Sequence, residues 1–217
     1  MTYMDIMELE DAAAYCEKAQ ALRKADGCID GSGEHLAIVA ESAKGILLLI
    51  TGDSEAAELA GIAGYLSEIG YAVSRKDQAS FGALLADQIL KGTPLLPAER
   101  ASVVSAIAGA GDETAVSDPI AAAVILADRT DVRRNRAADK PQSRFTDEDR
   151  ICYAVTGSNL KYDGEKHQLS LDLQIDEAFC GVKEYMDLFL PRLIACRKAA
   201  AVLGCRFAVK LNGKNRF

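Results

Sequence analysis

The chain of 217 residues has only two histidines, His35 and His167, so imidazole chemistry has few places to sit. Its six cysteines (Cys16, Cys28, Cys152, Cys180, Cys196 and Cys205) form no CxxC pair. That spacing argues against a zinc ribbon and for reduced, mostly core thiols. No P-loop, dinucleotide fingerprint or nucleophile elbow is present. No apolar run approaches the roughly 20 residues that cross a bilayer. The acidic first residues lack a basic-then-apolar leader, so a cytoplasmic protein is expected, with no membrane partner. Internal repeats and low-complexity tracts are missing too. The net charge of −7 argues against a long basic surface and hence against nucleic acid as a partner.

The remainder is ordinary for a globular chain: 49% hydrophobic and 26% charged residues, enough for one substantial core or a core with a small annex. Helical stripes dominate up to about residue 157. Leu9, Ala12, Cys16, Ala19 and Leu22 form one, and Val39, Ala43, Ile46 and Ile50 the next. Leu59, Ile62, Ala63, Leu66 and Ile69 make a third; Phe81, Leu84, Leu85 and Ile89 make a fourth. Pro97 is placed to open a helix with Val103, Val104 and Ile107 inward. Asp118 and Pro119 read as an N-cap and first helical residue, with the helix running to about Arg134. Thr146 and Asp149 resemble a capping box for a helix through Val155.

From residue 158 the period changes. Leu169, Leu171, Leu173 and Ile175 alternate with polar residues as in a half-buried strand, and Asp163-Gly164 supplies a hairpin turn after Leu160 and Tyr162. A helix over roughly Val182 to Leu203 contains Pro191, which predicts a kink or two abutting helices. Phe207, Val209 and Leu211 suggest a last strand. The expected architecture is mainly α: a helical bundle over 1–157 and a small α/β annex over 158–217, packed on it. The Leu169–Ile175 strand is also the candidate sheet edge for a homodimer. Among basic residues, Arg129 and Arg133 are four apart and face together if their helix continues, where they could meet a phosphate. The plainer alternative is a solvated helix end. Asp131 either supports Asp128 or pairs with an arginine.

Read in order, HLAIVA from His35, AELAGIAGYLSEIGYAVSRKDQASFGALLA, SDPIAAAVILADRTDVRRNR, YAVTGSNL, LDLQID and EYMDLFLPRLIACRKAAAVLGCRF resemble the HD-type metal-dependent phosphohydrolases, and more narrowly a bacterial group with this C-terminal pattern. The resemblance implies a helical bundle in which a histidine, an adjacent His-Asp pair and a later aspartate hold a divalent metal. Here the first histidine falls on His35 and the late aspartate on Asp128, but the pair falls on Ser67-Glu68. Two further histidines that hold a second metal in some members fall on Gln78 and near Ala110. A serine hydroxyl lacks the imidazole lone pair that transition metals favour. The implied protein is therefore phosphohydrolase-like with impaired or absent catalysis and no cofactor, holding a phosphorylated small ligand or acting through self-association. The alternative is an active phosphomonoester or nucleotide hydrolase. In it Glu68 and Asp128 are the catalytic carboxylates, and His35, Glu68 and Asp128, alone or with Asp112 or Glu113, hold magnesium or manganese.

Overall fold

The computed structural model describes residues 1–29, 32–111 and 116–216. Helices come first: α1 (Tyr3–Met7), α2 (Glu10–Ala25), α3 (Gly33–Thr51), α4 (Ser54–Leu66), α5 (Gln78–Leu90), α6 (Pro97–Ala110), α7 (Pro119–Thr130) and α8 (Asp147–Ala154). The strands β1 (Val155–Asp163) and β2 (Gln168–Ile175) follow, then α9 (Val182–Val202), β3 (Arg206–Leu211) and β4 (Lys214–Asn215). The result is mainly helical with one small sheet at the C-terminal end.

Capping chemistry sets several starts. The Ser32 hydroxyl accepts from the His35 N–H at 3.4 Å, which puts His35 in the first turn of α3. Gly52 closes the same helix at φ 72°, a left-handed conformation that suits glycine. Asp118 accepts the N–H groups of Ile120 and Ala121, and Pro119 fills the first helical position. The Thr146–Asp149 capping box opens α8.

α7 is the central rod. Every residue from Ile120 to Ala127 is buried, as expected of a helix that is apolar all round. It packs against α3, α4, α6 and α9. α7 stops at Thr130, four residues short of the length expected from its sequence. Asp131 leaves the helix with ψ 76°, because its carboxylate is held by His35 and Arg133. Arg129 and Arg133 therefore do not share a helical face.

α5 also departs from its apolar stripe. Phe81 and Leu84 are exposed, while Gly82, Ala83 and Ala86 face inward with Ile89 and Leu90. The small face is what lets α5 close on the 3₁₀ turn Ile69–Ala72, where Gly70 lies against Gln78 and Gly82.

The sheet has the order β1-β2-β3-β4. β1 and β2 form an antiparallel hairpin with Leu160 opposite Leu171 and Tyr162 opposite Leu169. The chain then crosses through α9 and returns as β3, parallel to β2. Leu169, Leu171, Leu173, Phe207, Val209 and Leu211 make the buried face. β2 is thus paired on both sides and is not the edge expected for self-association; β1 occupies that position. β1 starts at Val155, slightly before the expected start of the annex. Pro191 lies inside one unbroken helix rather than between two. A single hydrophobic core joins residues of α1 through β3. Among the described residues no helix is long and apolar enough to cross a membrane.

Candidate functional site

Two helices and the segment just past a third bring together the residues singled out in the sequence. His35 comes from α3, Glu68 from just beyond α4, and Asp128 from the last turn of α7. The His35 side chain is almost wholly buried, and its Nδ1 lies 2.7 Å from Asp131 Oδ2. That contact turns Nε2 toward the other two carboxylates, 3.4 Å from Asp128 Oδ1 and 3.8 Å from Glu68 Oε1. These are charge contacts without hydrogen-bond alignment. Both His35 Nε2 and Glu68 Oε2 are buried with no hydrogen-bond partner among the described residues. One donor atom from each of His35, Glu68 and Asp128 falls within 4.8 Å of the others, close enough to share one cation.

The surrounding charges bias each group. Burial pushes the His35 imidazole down, but Asp128 and Asp131 outweigh it and its pKa lies above the usual value; Arg136 opposes this and Glu68 adds to it. Burial pushes Asp128 up, yet Arg129, His35 and Arg192 together hold its carboxyl well below the usual range. Asp131 behaves alike: burial is outweighed by His35 and Arg133, with help from Arg136. The carboxylates thus already have cationic partners. Arg23 Nη1 sits 3.5 Å from Glu68 Oε1, and Arg129 Nη1 donates to Asp128 Oδ2 at 2.9 Å.

Glu68 and Asp128 stand at the wall of a cavity of about 540 Å³, a size that suits a small ligand. Ser67, Gln78, Ala110 and Arg129 line the same cavity. The Ser67 hydroxyl donates to the Gly64 carbonyl at 2.8 Å and so turns back on its own helix. Gln78 opens α5, and its Oε1 is buried without a hydrogen-bond partner among the described residues. Ala110 ends α6. Arg133 is elsewhere: it donates to Asp131 and, at 2.6 Å, to Glu34, and it does not line the cavity. Asp112 and Glu113 lie outside the described residues. His167 is an exposed turn residue at φ 45° and does not line the cavity.

Sequence reading missed two contributors. Arg23 continues the buried stripe Ala12, Cys16 and Ala19 by one more turn, and its guanidinium lies 5.1 Å from the centre of the Tyr71 ring. Arg192 follows Phe189 by three residues on the inner side of α9, a charge on an apolar face. Each breaks a hydrophobic pattern, which is the signal that could have found it. In all, the described lining carries six cations: Arg23, Arg75, Lys76, Arg129, Arg136 and Arg192. Its described carboxylates are four: Glu68, Asp77, Asp128 and Glu148.

Scans against family models, curated proteins and solved structures each returned no match for this chain.

Proposed function

We propose that this protein binds a phosphorylated small molecule in the cavity beside Glu68 and Asp128, on a scaffold similar to the HD-type phosphohydrolases, without turning the ligand over. The observation that carries this reading is the excess of cations over carboxylates in the described lining of one cavity, in a chain whose net charge is −7. Guanidinium groups suit phosphate because their planar forks donate paired, charge-assisted hydrogen bonds. The silence of the site follows from its internal pairing. Arg23 and Arg129 neutralise Glu68 and Asp128, and a proton on His35 is favoured by both aspartates beside it. Calorimetric titration of the full chain with phenyl phosphate, in buffer freed of divalent ions, tests this. Saturable binding with no phosphate released is expected. No binding at millimolar ligand would rule the reading out.

A second reading is a phosphomonoester hydrolase that uses magnesium or manganese. The fit of His35, Glu68 and Asp128 to one cation favours it, as do the two buried atoms without partners. His35 Nε2 and the two carboxylates would hold the ion, and the ion would supply Lewis acidity toward a phosphate oxygen. Asp131 keeps the His35 ring oriented from the opposite nitrogen. A proton and a cation compete for Nε2, so cation affinity should rise with pH. Manganese titration followed by paramagnetic resonance, together with an ester-hydrolysis assay, separates the readings. If the second holds, Asp128→Ala loses both signals by about 10-fold or more. If wild type and Asp128→Ala are indistinguishable in both, it fails.

A further inference from the structure

Arg192 is the one described lining residue that α9 supplies to the cavity. Its side chain is only 14% exposed, and a buried guanidinium is costly unless its donors are used. Arg23 resembles Arg192, with a 3.5 Å contact to Glu68 and a buried Nε–H that has no hydrogen-bond partner among the described residues, but two other inner cations make short hydrogen bonds. Arg129 donates to Asp128, and Arg136 donates to the Asp131 carbonyl at 2.8 Å. Arg192 has a weaker arrangement. Its Nη1 reaches Glu148 Oε1 at 3.4 Å, and that carboxylate is 54% exposed. Its Nε–H is buried with no hydrogen-bond partner among the described residues. The Phe189 ring, 5.6 Å from the guanidinium carbon, steadies the group without using a donor. A guanidinium has five N–H donors, so most of this one's capacity is unspent.

We infer that Arg192 is the phosphate-gripping residue of the cavity, and that Glu148 is a stand-in anion that the phosphate of a monoester displaces. This rests on the reading of the cavity as a phosphate site. A monoester dianion fits best, because its charge meets a cavity lined by both Arg192 and Arg129, and the exposed Glu148 can swing into solvent. Arg192, Arg129 and Asp128 line the same cavity. The C-terminal helix would then decide what the helical bundle accepts.

The test is phenyl phosphate binding to the full chain at fixed ionic strength, measured for wild type, Arg192→Gln, Arg192→Lys and Glu148→Gln, with ligand-free melting curves for each. Arg192→Gln should weaken binding by roughly 10-fold or more, the loss expected for a charge-assisted contact. Arg192→Lys should recover part of it, and Glu148→Gln should tighten binding severalfold because the competing anion is gone. Wild-type binding that Arg192→Gln leaves unchanged overturns the inference but spares the phosphate reading. Absent wild-type binding overturns both. If Arg192→Gln fails to fold, Glu148→Gln decides: tighter binding supports the inference, and unchanged or weaker binding overturns it.

Discussion

Asp149 shows how one carboxylate can organise a stretch of chain that has little regular structure. It is fully buried, and four donors converge on it: the N–H groups of Ala138 and Thr146, the Thr146 hydroxyl and the Lys140 ammonium. Lys140 also donates to the Gly27 carbonyl, so the contact ties residues 138–146 to the end of α2. Burial alone would raise the Asp149 pKa, but Lys140 and the hydrogen bonds outweigh it and the pKa is lowered. A carboxyl lowered on folding adds stability above its unfolded pKa, and that stability is lost as pH falls through the folded value. Asp149→Asn is therefore expected to cost about 2 kcal/mol at neutral pH. The difference from wild type should shrink as the pH drops below about 4. Urea unfolding across that range checks both parts, and a pH-independent difference would contradict the assignment. At this scale the sequence was only half legible. Thr146 and Asp149 announce a cap because the motif is local. Lys140 and Gly27 join it through tertiary contact, which no spacing reveals.

Among the elements, α5 comes very close to the 3₁₀ turn at Gly70. A methyl group built on Gly70 would lie 1.8 Å from the Gln78 carbonyl oxygen and 2.4 Å from the Gly82 nitrogen. Both are backbone atoms of α5, so no side chain can swing aside. Gly70→Ala should cost about 3 kcal/mol and push α5 away from the turn. Because Gln78 and Glu68 line the cavity from these two elements, the phosphate binding proposed for it should weaken as well. A denaturation midpoint like that of wild type would show that the approach is looser than described. The same contact explains why α5 misled the reading of its own apolar residues. Phe81 and Leu84 look like a core face, but two glycines bring the backbones together and turn the small face inward. Helix starts at Pro97 and Pro119 were legible because proline and caps act within a turn. The end of α7 was not, since Asp131 leaves the helix to meet His35, 96 positions away. His35, Glu68 and Asp128 could be named from a motif resemblance. Arg23 and Arg192 could not; their one trace in the sequence is a charge on an apolar stripe, and the cavity that gives it meaning forms only when α2 and α9 meet.

For the whole molecule, the helical bundle and the sheet share one continuous core. α9 packs against α7 on one side and against β3 on another. Bundle and annex describe the order of elements, and one hydrophobic cluster runs through both among the described residues. Helix and tertiary signals should therefore disappear together on heating or in denaturant, as in a single cooperative unit. Far-ultraviolet and near-ultraviolet dichroism followed in one titration check this; separated midpoints would mean that the C-terminal part melts on its own. Shared packing also fixes when the cavity comes into existence. Its walls are drawn from Arg23 to Arg192, and β3 must find β2 across the length of α9 before the sheet can support that helix. Contacts so distant in sequence are closed late and slowly. On the ribosome, where a chain emerges from its N-terminal end, the bundle can begin to assemble while the cavity still lacks Arg192. A ligand that depended on this arginine would have no hold on intermediates formed before α9 emerges.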